Sequence, residues 1–282
     1  MEEKSGSLIE WLAPLSFIVA AGWLVWHAPA FILDFIPPEN PSLFDQLSAQ
    51  FKRNDVTPSL GGLFGGFADI VDWAALIALP LTTAWGAATV QKANMEFESW
   101  RTADRISVFI GRVTMMLIAI LLCIMLYEVM LRYVFERPTL WANELSLWIA
   151  GFVFLCSGLY AMQQRCHIRI FLVYDMVPRN VQRLFDCLST LCVALFAFFL
   201  VFGSYKQVFV NKFYKFETFG TAFDPPIPAT IQPTILIVVT LVAIQAVVNL
   251  ISDWNEEPMV HSAADDIDQD ELDAIKRSIG AD

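Results

Sequence analysis

Residues Glu128 to Asp175 read EVMLRYVFERPTLWANELSLWIAGFVFLCSGLYAMQQRCHIRIFLVYD, and this stretch decides the fold. No residue between Glu144 and Arg165 carries a charge. These twenty residues, at about 1.5 Å rise each, match a hydrocarbon core of roughly 30 Å. A run of that length framed by charge belongs in a bilayer, so the rest of the chain is read with lipid as its solvent.

Working outward, uncharged or nearly uncharged stretches recur at Trp11 to Leu33, Trp73 to Gln91, Val113 to Tyr127, Leu184 to Tyr205 (interrupted by Asp186) and Pro225 to Ser252. With Leu145 to Gln164 they make six candidate spans. The expected fold is therefore an all-α integral membrane protein with about six transmembrane helices. A composition that is 56% hydrophobic and 13% aromatic over 282 residues agrees, because a soluble domain distributes its apolar residues in shorter runs. The acidic Met1-Glu2-Glu3-Lys4 start and the length of the first apolar run point to a permanent span rather than a cleaved signal, despite the Ala28-Pro29-Ala30 pattern.

The net charge of −11 is concentrated in the segment from Glu256 to Asp282, with Asp265, Asp266, Asp268, Asp270, Glu271 and Asp273. It argues against a nucleic-acid partner and reads as a solvated tail. The five cysteines fall in spans or in a loop assigned to the cytoplasm, with no pattern that points to a metal or a disulfide. If the N-terminus is cytoplasmic, inner segments hold eleven Lys and Arg and outer loops seven, which favours both termini inside.

Two connections are expected outside. In Asp34 to Pro58, Pro37, Pro38 and Pro41 are expected to stop any helix. Lys206 to Ala229 carries Phe209, Phe213, Tyr214, Phe216, Phe219 and Phe223, either an aromatic belt or a contact surface. Two inner segments, Lys92 to Arg105 and Val173 to Phe185, read as amphipathic, either lying flat at the interface or extending tilted spans.

Charge near lipid needs a reason. Glu128 and Arg132 stand four apart in the order that favours an ion pair on a helix. Glu144, Gly151, Gly158 and Arg165 recur every seven residues and therefore share a stripe, flanked by Trp141 and Trp148, that serves either a partner or internal packing. Gly61, Gly62, Gly65 and Gly66 read as close packing or a turn, and Asp69 and Asp72 as acidic residues at a helix N-terminus. His27, His167 and His261 do not supply paired axial ligands, so no haem and no other cofactor is expected. Neither a nucleophile with its base nor a phosphate-binding loop is present, and the chain reads as no enzyme.

Arg132-Tyr133-Val134-Phe135, Pro138, Trp141, Glu144-Leu145, the Gly158 region, Arg165 and His167-Ile168 together resemble the small, DctQ-type membrane subunit of tripartite ATP-independent periplasmic (TRAP) transporters. That family reads RY-x-F-x-x-P-x-x-W-x-x-E-L and then H-[VI]-x-[VI]-D. Here Phe171 follows Ile170 and the aspartate, Asp175, comes later. The resemblance covers 106–255 as a four-span unit. It leaves 1–90 as a two-span extension, 91–105 as a cytoplasmic amphipathic segment and 256–282 as an acidic cytoplasmic tail.

The resemblance implies a bacterial or archaeal inner-membrane complex. Its partners are a large permease subunit carrying sodium and substrate sites, an extracytoplasmic substrate-binding protein, and membrane lipids. In that setting the small subunit braces the static scaffold of an elevator-like symporter for a small organic acid, and the motif residues form its partner interface. A membrane anchor for a redox or lipid-modifying enzyme is the alternative reading.

Overall fold

A computed structural model describes residues 8–54, 62–91, 104–165, 174 and 176–255. Six of its helices are long and apolar enough to cross a membrane, in agreement with the hydropathy of the sequence, and the described residues contain no strand. Helix α1 runs Leu8–Phe35, α2 Pro41–Asn54, α3 Ile70–Thr89, α4 Asp104–Tyr133, α5 Trp141–Gln163, α6 Arg179–Tyr205 and α7 Ile227–Asp253. A π-helical turn, Lys206–Phe213, prolongs α6. All but α2 are spans. The expected amphipathic segment at 92–103, the acidic tail at 256–282, and Gly61, Cys166, His167, Asp175 and His261 lie outside the described residues.

The spans form a series of neighbours. Helix α3 packs on α1, both meet α4, α4 packs on α5, α5 on α7, and α7 on α6. Helix α6 stands at one edge and is the least buried span. Its Leu188, Leu195, Phe198, Phe199 and Phe202 all face outward, as a lipid-bathed or docked helix allows.

Pro41 begins a helix where none was expected. At the first helical position proline loses only an amide that would be unpaired anyway, and its fixed φ suits the turn. The Asn40 side chain supports this start by accepting the Ser42 amide at 3.0 Å. Helix α2 then lays Leu43, Phe44, Leu47 and Phe51 against Ile32 and Leu33 of α1, Phe67, and Phe213, Tyr214, Phe216 and Ala229. The second aromatic connection accordingly turns inward. Phe216 is fully buried, Phe223 stacks on Trp26 with centroids 5.8 Å apart, and Phe219 remains exposed. This cluster ties α1 and α2 to the far end of the series, near the start of α7.

The glycines between α2 and α3 make a turn. A Cβ on Gly62 would lie 1.4 Å from the Gly66 carbonyl oxygen, a separation that only glycine tolerates. Asp69 caps α3 by accepting the Val71 and Asp72 amides at 2.8 and 3.0 Å, and Asp72 reciprocates toward the Asp69 amide at 3.0 Å. The other Asp72 oxygen accepts the Trp23 indole at 2.7 Å and so joins α3 to α1.

Val181 and Phe185, expected in an amphipathic segment, belong to the first turns of α6 itself. The polar start of that helix reaches toward the end of α7. Arg179 and Arg183 donate to the Asp253 and Trp254 carbonyls at 2.9 and 3.0 Å. At the end of α3, Arg105 donates to the Ala88 carbonyl at 3.1 Å and Arg112 to Gln91 at 3.0 Å. Helix C-termini leave carbonyls unpaired and carry partial negative charge, and arginines from a neighbouring helix answer both needs.

Candidate functional site

The connection from α4 to α5 contains most of the motif. Glu128 is buried on α4 and one carboxylate oxygen accepts Arg132 Nε and Nη2 at 3.1 and 2.5 Å. The other accepts the Thr139 amide at 3.1 Å and the Thr139 hydroxyl. Thr139 Oγ1 in turn accepts the Ala142 amide at 3.4 Å, at the start of α5. One carboxylate therefore satisfies the end of one span and the entry to the next. A buried charge so fully hydrogen-bonded is held in place.

The sequence gives the Glu128–Arg132 pair, and the structure contains it. Thr139 was missed, although a threonine just ahead of a helix start is a recognisable capping signal. With the turn fixed in this way, Tyr133, Val134, Phe135 and Leu140 project outward and Pro138 is exposed. Trp141 sits inside this rim, tilted against Tyr127 with centroids 6.0 Å apart.

The seven-residue stripe on α5 divides. Glu144 accepts the Thr221 hydroxyl at 2.6 Å from the connection before α7. A Cβ on Gly151 would come within 2.8 Å of Ile231 on α7. Arg165 grips Asp253 at the end of α7, with Nε–Oδ2 3.1 Å and Nη2–Oδ1 2.8 Å. These three residues all meet α7 or the loop before it. Gly158 differs, since a Cβ there would meet nothing within 4 Å, and Phe154 one turn earlier is 78% exposed. Trp148 is buried and donates to Thr230 on α7 at 2.8 Å.

A buried polar chain, unanticipated from the sequence, joins α4, α5 and α7 near the Arg165 end. Gln245 accepts the Ser107 hydroxyl at 2.8 Å and donates to Asp104 at 2.8 Å and Asn249 at 2.9 Å. Asn249 donates to the Met162 carbonyl at 2.7 Å. Gln245 and Asn249 lie four apart in an apolar helix, and that spacing was the available sign of a polar face pointing at other helices.

The residues brought together are thus a carboxylate clamp, an arginine–aspartate clasp and a glutamine relay, each occupied by contacts within the chain. Such an arrangement fixes helices relative to one another. It offers no nucleophile with an adjacent base.

Residues 121–256 match the family model described as "Tripartite ATP-independent periplasmic transporters, DctQ component". That segment, just under half of the chain, is similar to the DctQ component. A curated relative, the C4-dicarboxylate TRAP transporter small permease protein DctQ of Vibrio cholerae serotype O1, is 24% identical over 129 residues, covering 45% of this chain and 50% of the relative. The chain therefore spans about half the length of that curated relative. No solved structure matches. The DctQ segment opens within α4 and takes in α5, α6 and α7, so α1, α2 and α3 lie ahead of it. DctQ components are parts of transporters and not enzymes.

Proposed function

We propose that this chain is the small permease subunit of a TRAP-type secondary transporter, a static brace for a large permease subunit in a bacterial or archaeal inner membrane. The large subunit takes up a small organic acid, coupled to sodium and delivered by an extracytoplasmic binding protein. One observation carries the reading. Glu128, Arg165, Gln245 and Asn249 of the DctQ-like segment are engaged in locks between its helices and connections, while its apolar faces are left open, as a scaffold requires and a self-sufficient carrier does not.

On this reading both termini are cytoplasmic, 106–255 is the working unit, and 1–90 is an extension keyed to it through the cluster around Phe216. The docking face is the open side of α5 at Leu147, Phe154 and Gly158 together with the rim of Tyr133, Phe135 and Leu140. Arg132, Pro138, Trp141, Glu144, Gly151 and Arg165 set the shape of that face from behind, and His167 belongs to the motif without a described position.

The test is uptake of a labelled C4-dicarboxylate, the substrate class in the relative's name, and of other small carboxylates. Vesicles would hold this chain with its genomically adjacent large permease, and the cognate binding protein would be added outside. Uptake is expected only with all three present and a sodium gradient. Accumulation in vesicles made from this chain by itself would overturn the reading.

A further inference from the structure

The turn between α2 and α3 holds a phenylalanine in a conformation that suits glycine. Phe64 has φ 59° and ψ 21° and is 90% exposed. Left-handed backbone brings Cβ against the carbonyl, so a bulky residue adopts it only where the surroundings enforce it. Here they do. The Asp34 carboxylate accepts the Phe67 and Ala68 amides at 2.6 and 2.9 Å, and the Leu63 amide returns to the Ala68 carbonyl at 2.9 Å. Gly62, Gly65 and Gly66 supply the freedom the turn needs, yet Phe stands at its tip.

Within the protein Phe64 gains little, its described ring contact being the edge of Trp73 at 6.1 Å between centroids. Phe31 and Phe35 pack on the same indole at 5.9 and 5.7 Å, so the tip rests on an aromatic base. The Asp34 clamp holds the tip in this conformation, and the ring, with the Trp73 edge as its described contact, is presented to the surroundings of the protein.

The level of the turn indicates what lies there. Helix α3 has 20 residues, about 30 Å at 1.5 Å each, which is the thickness of a hydrocarbon core. Its exposed side runs through Ile70, Ala74, Ile77 and Leu81 without a charge, a face suited to acyl chains. Phe64, with exposed Phe35 and Ile36, continues that uncharged surface just past the helix start. That is the depth of the boundary between headgroups and acyl chains, where the apolar side chains of interfacial segments, Phe among them, bury themselves.

We propose that the Phe64 turn is a lipid anchor, with the ring inserted at the headgroup–acyl boundary and Trp73 as its base, holding the α1–α3 pair at fixed depth. The partner is the phospholipid surface itself, whichever leaflet the turn faces. The inference uses only the length and faces of α3 and the geometry of the turn, and it does not rest on the transporter reading.

The experiment uses the full chain, without other subunits, in phosphatidylethanolamine–phosphatidylglycerol vesicles. Phe64 is replaced by the photoreactive p-benzoylphenylalanine, with Leu81 replaced likewise as a mid-span control. Irradiation is expected to add the mass of one phospholipid at both positions. A lipid adduct at position 81 with none at position 64, or crosslinking of position 64 to a second copy of the chain in place of lipid, overturns the proposal.

Phe64→Gly provides the second arm, since glycine relieves the backbone strain. If the ring contacts no lipid, relief of strain offsets the lost Trp73 edge and the freer unfolded chain, and this variant unfolds in vesicles at a temperature close to the parent's. A lowered midpoint is expected, and an unchanged or raised one overturns the anchoring role even if an adduct forms. Both arms omit the large subunit and the binding protein, so their outcome is separable from that of the uptake assay.

Discussion

Arg165, two residues past the end of α5, and Asp253, the last residue of α7, form a two-pronged contact of 3.1 and 2.8 Å. Arg165 also donates to the Gln163 carbonyl at 2.9 Å from a left-handed backbone position, φ 55°. Its side chain is largely buried and that of Asp253 partly so. The clasp closes the two helices at one end of the DctQ segment, while Glu128 performs the corresponding task at the far end of α4.

Replacing Arg165 by Lys keeps the charge but removes the planar fork, and the two amino acids are not equivalent at such sites. Arg165→Lys and Asp253→Asn are each expected to lower unfolding free energy by about 1–2 kcal/mol, since charge-assisted hydrogen bonds exceed neutral ones and part of the pair is screened. Denaturation of the chain in vesicles measures it. Parental stability in both variants would show that the clasp does no structural work.

Glu128→Gln presents an amide to donors. Thr139 offers an amide and a hydroxyl, and Arg132 two guanidinium hydrogens, so the amide nitrogen of glutamine faces a donor on either side. Loss of about 1–3 kcal/mol is expected, read as a lower unfolding midpoint. The sodium dependence of uptake by the assembled complex should stay as it is, and a changed ion stoichiometry would move Glu128 from the brace to the coupling.

The two α5 glycines should respond differently to leucine. Gly151→Leu drives a side chain into Ile231, and overpacking of this kind costs about 1–3 kcal/mol, so the isolated chain should be destabilised. Gly158→Leu meets open space and should leave the chain's stability unchanged while weakening copurification with the large permease. Full association of the Gly158 variant would remove that side of α5 from the proposed docking face.

Gln245→Leu would leave Ser107, Asp104 and Asn249 each short of a partner in a dry interior. A single interhelical hydrogen bond in a membrane contributes about 0.6 kcal/mol on average, and three are lost together, so a loss of about 1–2 kcal/mol is expected. Chemical denaturation in mixed micelles would measure it. A loss below the single-bond value would mean water reaches the site.

The spans were legible because hydropathy over twenty residues is set by the solvent and needs no tertiary information. The Glu128–Arg132 pair and the Asp69 cap were legible for a similar reason, both being local. Pro41 misled because its meaning depends on position, a helix breaker inside and a helix starter at the first turn. Glu144, Gly151 and Arg165 share a stripe, but periodicity gives no indication of whether the neighbour across it is Ile231 and Asp253 of the same chain or another protein. The four-residue spacing of Gln245 and Asn249 marks a polar face, but its partners Ser107 and Asp104 were illegible because they lie more than a hundred residues away.

The arginines that finish α3 come from α4, which follows it in the chain, whereas those that finish α7 come from α6, which precedes it. During synthesis the Ala88 and Gln91 carbonyls therefore meet these donors only once Arg105 and Arg112 have been made. The end of α7 finds its donors already in place.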